Sequence, residues 1–176
     1  KSKVFLSGKI SVQDVAAGCV VKLLNPKPTD CILDYCSAPG GKATFMSEIM
    51  KNKGHITAND ISQERINRLN NNLKRLKIKN VFVNKGSNQS TSFKNKFNKI
   101  LIDAPCSGTG VMSKRADLRW RKKIDDILEM HLLQRKILWN AVDFLKPDGV
   151  IVYSTCSIEP EENWMVIDAF LKAHSK

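Results

Sequence analysis

Two cysteines of this chain stand in settings that suit reaction better than packing. Cys106 follows Asp103-Ala104-Pro105 and precedes Ser107-Gly108, and Cys156 lies within Ser154-Thr155-Cys156-Ser157. Each comes just past a short apolar run, at residues 100–102 and 150–153. In an α/β sheet, ligands bind beyond the carboxyl ends of the strands, so a thiol there, beside Gly, Ser and Thr, faces the ligand crevice. Cys19 and Cys31 sit on apolar faces and read as packing residues. Five Cys without a Cys-x-x-Cys pair, and three scattered histidines, His55, His131 and His174, predict neither a disulfide framework nor a metal site.

A glycine loop forms the other constellation. Cys36, Ser37, Ala38, Pro39, Gly40, Gly41 and Lys42 follow the apolar run at 31–35 and open a helical segment. Adjacent glycines let backbone amides approach a ligand at a helix N-terminus. The spacing is neither that of a dinucleotide fingerprint nor that of a phosphate loop. Asp60 closes the next predicted strand about twenty residues on, where a carboxylate accepts both hydroxyls of an adenosine ribose. Loop and acid together point to an adenosine-bearing cofactor. Chemistry that sets a thiolate beside such a cofactor includes methylation of a pyrimidine carbon, because carbon 5 of cytosine is too weak a nucleophile until another nucleophile adds to carbon 6.

The elements that must carry these residues are legible from periodicity. Ser11 reads as an N-cap, with Asp14 three residues later, for an amphipathic helix ended by Asn25-Pro26. A strand at 31–35 leads through the glycine loop to a helix reaching about Lys51. A strand at 56–59 follows, then a helix capped by Ser62 with Ile66, Leu69, Leu73 and Leu76 on one face. Further strands are predicted at 81–83, 100–102 and 150–153, with a long helix over about 125–145. Pro160 opens a last helix whose Ile167, Phe170 and Leu171 face inward, with Glu161 and Glu162 complementing its N-terminus. Strands alternating with helices predict one doubly wound, mostly parallel α/β domain over 1–176, without repeat, coiled coil or linker.

Composition narrows the partners. The 176 residues are 42% hydrophobic, which suits a folded globule. No apolar run approaches the roughly 18 residues of a membrane span. An excess of Lys+Arg over Asp+Glu gives a formal net charge of +12, which favours a polyanion, nucleic acid first. The chain reads as intracellular, in a reducing compartment, cytoplasmic or nucleolar. Asp117-Leu118-Arg119-Trp120, with Arg115, Arg121, Lys122 and Lys123, reads equally as an RNA-contacting loop with a stacking Trp120 and as an exposed basic helix end.

Three motifs in order then resemble one family. Asp34-Tyr35-Cys36-Ser37-Ala38-Pro39-Gly40-Gly41-Lys42, Asp103-Ala104-Pro105-Cys106-Ser107-Gly108, and Tyr153-Ser154-Thr155-Cys156-Ser157-Ile158 with Pro160-Glu161-Glu162-Asn163 are similar to the Sun/Fmu family of RNA cytosine-5 methyltransferases. The likeness runs from Ser11-Val12-Gln13-Asp14 to the last helix. It implies a Rossmann-like domain that moves a methyl group from S-adenosylmethionine to carbon 5 of cytosine in RNA, ribosomal RNA first and transfer RNA as the alternative. By the same resemblance Cys156 is the nucleophile at carbon 6 and Cys106 the second thiol, needed for release. Asp103 hydrogen-bonds the cytosine edge and must be protonated to donate to ring nitrogen 3. Lys42 faces the base and the reacting centre. Cys36 to Gly41, Lys42, Asp60, Arg65 and Asp103 match cofactor-binding positions, with no metal.

Two departures stand out. Gly86-Ser87-Asn88 replaces the family's Gly-Asp that holds the adenine amino group, so Ser87 or Asn88 substitutes. The chain ends at Lys176, where the family's sheet adds two further strands, which predicts a fragment of a longer protein. Two rival readings stay open. One is a DNA cytosine methyltransferase with Cys106 as nucleophile, against which Thr155-Cys156-Ser157 counts. The other is a catalytically silent RNA-binding domain, favoured by Ser87 and the missing end of the sheet.

Overall fold

Apolar runs too short for helices become the strands of one sheet, whose inner members are buried on both faces, and the intervening amphipathic segments become the helices that cover them. The structure is a computed structural model that describes residues 2–86 and 93–174. A short helix α1 (Lys3–Leu6) precedes α2 (Val15–Leu24), β1 (Cys31–Asp34), α3 (Gly41–Ile49), β2 (His55–Asp60), α4 (Gln63–Arg75) and β3 (Val81–Lys85). Then come β4 (Phe97–Asp103), the short α5 (Leu118–Arg121), α6 (Ile124–Val142), β5 (Leu145–Ser154) and α7 (Trp164–Ala173). The five strands form one sheet in the order β3-β2-β1-β4-β5, every neighbouring pair parallel.

Side chains alternate across a strand, so neighbours in sequence enter different cores. Ile32 and Leu101 join one cluster with Val21, Leu24, Met46, Ile56 and Leu69, from the side of α2, α3 and α4. Leu33, Ile100 and Ile102 join another with Phe97, Leu138, Ala141 and Val166, from the side of α6 and α7. A sheet covered on both faces explains why its strands read as continuous apolar runs. The strand order reverses between β1 and β4, and the crevice beyond their carboxyl ends lies at that switch point. Asp34 ends β1 and Asp103 ends β4, so both acids border it.

Several boundaries differ from expectation for local reasons. The cap of α2 is Asp14, whose carboxylate accepts from the Ala16 amide at 2.9 Å, rather than Ser11. Val12 and Val15 on either side of Asp14 are exposed, so the apolar spacing there marked no buried face. Cys19 is exposed too, because α2 turns Val21 and Leu24 to the core instead. The long helix stops at Val142, and Leu145 already belongs to β5. Pro160–Glu162 forms a 3₁₀ turn ahead of α7, on which Val166 is buried and Leu171 exposed.

Candidate active site

The glycine loop is fixed by neighbours on three elements. The Ser37 amide donates to the Asn59 carbonyl at 2.9 Å, and the Gly40 amide to the Ser37 carbonyl at 2.8 Å. Gly40 has φ +94°, and a Cβ there would overlap the Leu69 side chain of α4, so only glycine fits. Asp60 accepts from the Ala38 amide at 3.0 Å through one oxygen and from the Ser62 amide at 3.0 Å through the other. Arg65 donates from both Nε and Nη2 to the Ala38 carbonyl and lies 3.4 Å from Asp60. Asp60 and Arg65 therefore shape the loop from behind, a duty that their spacing did not announce. A carboxylate has about four lone pairs, so Asp60 keeps acceptor capacity for a ribose.

In front of the loop lies a pocket of about 170 Å³, lined by Gln13, Asp34, Cys36, Ser37, Lys42 and Asp103 among others. A larger cleft of about 630 Å³ runs between residues 8–13 and the far side of α3, but no residue following β4 or β5 reaches it. Asp34 was not singled out from the sequence, yet its place at the switch point is its signal. It is buried; one oxygen accepts from the Ser37 hydroxyl at 2.9 Å, and the other, Oδ1, has no partner. Burial raises its pKa to about 7, against the Ser37 bond and the nearby Lys42, which lower it. Burial likewise pushes the Cys36 thiol up to about 12, so Cys36 is no nucleophile.

Lys42, in the first turn of α3, reaches across to Asp103 at 2.5 Å, and the Ser154 hydroxyl donates to the other Asp103 oxygen at 2.9 Å. Both Asp103 oxygens thus accept hydrogen bonds, one from each side of the site.

Past Asp103 the chain brings the two reactive cysteines together. Their sulfurs lie 3.0 Å apart, and the Cys156 amide donates to the Cys106 sulfur at 3.3 Å. The Cys156 thiol is held below the ordinary range, first by the bond from Cys106 and further by the charge of Arg115, although burial opposes both. Cys106 moves the opposite way, because it donates to Cys156 and is itself partly buried. Of the two thiols, Cys156 is therefore the more readily ionised. The loops also lock: the Gly110 amide donates to the Cys156 carbonyl at 3.0 Å, and a Cβ on Gly110 would sit 2.8 Å from that oxygen.

Comparison with known proteins supplies the family. Residues 21–176 match the model of the 16S rRNA methyltransferase RsmB/F family. This chain belongs to the RsmB/F methyltransferase family. It is 42% identical over 174 residues to ribosomal RNA small subunit methyltransferase B of Photorhabdus laumondii, covering 97% of the chain and 40% of that protein. The protein of the same name from Yersinia pestis is also 42% identical, over 173 residues, with the same coverages. The crystal structure of PH0851 superposes with a TM-score of 0.96 at 40% identity, over 99% of this chain and 40% of that one. NSun6 from Pyrococcus horikoshii, solved with SFG, gives 0.91 at 34% identity, over 98% of this chain and 44% of that one. The chain thus spans about two fifths of the length of these relatives.

Within this RsmB/F domain, then, Cys36, Ser37, Ala38, Pro39, Gly41, Lys42 and Asp103 share one pocket with Asp34. Cys106 and Cys156 form a pair past Asp103, and Gly40, Asp60 and Arg65 support the loop from behind. Ser87 and Asn88 lie outside the described residues. Glu162 departs from expectation. It is fully buried and, instead of complementing a helix end, accepts hydrogen bonds from Ser107 and Gln134. No helix among the described residues is long and apolar enough to cross a membrane, and no group of three His, Cys, Asp or Glu there is arranged to hold a metal.

Proposed function

We propose that this chain is the catalytic domain of an RNA cytosine-5 methyltransferase that uses S-adenosylmethionine, with small-subunit ribosomal RNA as its substrate. The observation that carries the reading is the Cys106–Cys156 pair beside the glycine-loop pocket. The cofactor fits on one specific ground. Asp34 Oδ1, buried, without a partner and on the pocket wall, is an acceptor waiting for a cation such as the methionine ammonium. The loop amides at the start of α3 and the Asp60 carboxylate would hold the adenosine. When bound, the cofactor supplies an electrophilic methyl group.

The protein's own residues account for the remaining chemistry. The Cys156 thiolate adds to carbon 6 of cytosine; the electron pair of the carbon 5–carbon 6 double bond passes into the ring, and Lys42, through its contact with Asp103, stands ready to neutralise the base edge. Carbon 5 then becomes nucleophilic enough to accept the methyl group. Once bonded to carbon, the Cys156 sulfur no longer attracts the Cys106 proton, which is free to leave to solvent. The new Cys106 thiolate takes the proton from carbon 5; that C–H pair restores the double bond, and the carbon 6–sulfur bond breaks with its electrons on Cys156.

Arg115, Arg119 and Lys123 lie within five residues of Trp120, which is 90% exposed, and no salt bridge among the described residues neutralises these three cations. We assign this basic surface, close enough to Cys156 for the Arg115 charge to be felt there, to the RNA strand. The curated relatives named above are bacterial, so of the two compartments that the sequence allowed, the cytoplasm is the one we propose. One observation favours a second reading: the Cys156 amide donates to the Cys106 sulfur, a bond that would also support a Cys106 nucleophile. Incubating the full natural protein with labelled S-adenosylmethionine and small-subunit RNA from cells lacking it, then digesting to nucleosides, tests the activity. Label in 5-methylcytosine is expected, and label in transfer RNA alone, or none, overturns it.

A further inference from the structure

Glu162 lies in the last motif but touches neither the pocket nor a thiol. It is 0% exposed, and three donors converge on its two carboxylate oxygens. The Ser107 amide donates to Oε1 at 2.7 Å, the Ser107 hydroxyl to Oε2, and Gln134 Nε2 of α6 to Oε1 at 3.0 Å. The same Gln134 nitrogen donates to the Pro105 carbonyl at 2.8 Å. Both neighbours of Cys106 are thereby tied to Glu162, Ser107 directly and Pro105 through Gln134. Glu162 itself is held from the sheet, because the Tyr153 hydroxyl of β5 donates to its carbonyl at 2.8 Å.

A second tie leads from this anchor to the other cysteine. Ser107 follows Cys106 and Ser157 follows Cys156, and their hydroxyls meet at 3.3 Å. The Ser157 hydroxyl also meets Thr109 Oγ1 at 3.0 Å and accepts from the Glu159 amide at 3.1 Å. Glu162, Ser107 and Ser157 thus make one chain of hydrogen bonds that runs a single residue past each thiol. No ion pair to Glu162 is present among the described residues. Burial would raise its pKa, but the bonds from Ser107 and Gln134, with the Ser157 hydroxyl close by, outweigh this and keep it below the usual glutamate range.

Only an acceptor on both arms satisfies three converging donors, and an ionised carboxylate is the side chain that offers this. A glutamine would turn its NH₂ toward at least one of those N–H or O–H groups. We infer that Glu162 is a positioning residue, whose buried carboxylate fixes the Cys106 loop against the Cys156 loop and so sets the contact between the two thiols. The inference rests on the reading of these cysteines as a working pair, and it extends that reading to a residue that never meets RNA or cofactor.

The test compares the natural protein with Glu162→Gln, each with and without Cys106→Ala. Iodoacetamide alkylation of Cys156 is followed by peptide mass spectrometry across a pH series. Cys106→Ala alone should move the Cys156 midpoint upward, since it removes the donor. Glu162→Gln should move it upward as well, with a several-fold slower reaction at neutral pH, and adding Cys106→Ala should then produce little further change. A wild-type profile in Glu162→Gln, or a Glu162→Gln shift that persists undiminished in the Cys106→Ala background, overturns the inference. If Glu162→Gln does not fold, Ser107→Ala cuts the same chain at its next link and is judged by the same two outcomes. This arm needs neither RNA nor cofactor, so it is separate from any failure of methyl transfer in the unaltered protein.

Discussion

The Lys42 ammonium lies 2.5 Å from the Asp103 carboxylate, and the two residues come from opposite sides of the point where the strand order reverses. Lys42 arrives on the first turn of α3, after β1, and Asp103 ends β4. Their bond closes one wall of the pocket, and the Ser154 hydroxyl extends it to the end of β5, two residues before Cys156. Hydrogen bonds therefore run from the glycine-loop pocket toward the thiol pair along the carboxyl ends of three adjacent strands.

Asp34 predicts a pH dependence of cofactor binding. Its pKa in the free protein is raised to about 7, so near neutrality it carries a proton part of the time. A bound ammonium favours the ionised form, so affinity for S-adenosylmethionine should rise from about pH 6 to about pH 8 and flatten above. The stability of the ligand-free protein runs the other way. A carboxyl with a raised folded value binds more protons folded than unfolded between about pH 4 and about pH 7, so its contribution is lost as pH rises through that window. Calorimetric titration at several pH values checks the first trend; Asp34→Asn should weaken binding and remove the slope.

Asp60→Ala should weaken cofactor binding by about 1 to 3 kcal/mol, the cost of charge-assisted hydrogen bonds and of the Ala38 and Ser62 amides left unpaired. Because Asp60 also shapes the loop, the variant should melt at a lower temperature as well. Unchanged affinity in a folded variant would remove Asp60 from the cofactor site.

Much of this was legible from residue order. Strand ends could be placed because apolar runs stop near Tyr35, Asp60 and Asp103, within a residue of where the strands end, and a doubly wound sheet puts such ends together. The pairing of Cys106 with Cys156 followed from that topology and from resemblance, but their contact did not, since it depends on Ser107, Ser157 and Gly110 locking two loops. Glu162 was misplaced for the same reason. In sequence it stands in the first turn of a helix, whereas its partner Ser107 is fifty-five residues away. Asp14 displaced Ser11 as a cap because capping is decided by where the first helical turn forms, and apolar spacing blurs that by a turn. Ser87 remains an expectation from sequence.

Trp120→Ala, with Arg119→Ala as a companion, should weaken RNA binding and leave S-adenosylmethionine affinity unchanged. Loss of a stacking platform is worth about 1 to 3 kcal/mol per base. Loss of the Arg119 charge should lower the slope of log affinity against log salt, because fewer counterions are released. Filter binding over a salt series measures both, and a flat salt response in the unaltered protein would detach the net charge of +12 from RNA.

The account depends most on the division of labour between the two thiols, and a denaturing gel with labelled RNA and S-adenosylmethionine tests it directly in the full natural protein. Cys106→Ala should still add to cytosine through Cys156 and then stall, leaving a slow-migrating protein–RNA band. Cys156→Ala should give no such band and no 5-methylcytosine. A band in Cys156→Ala that is absent from Cys106→Ala would contradict the account and move the nucleophile to Cys106.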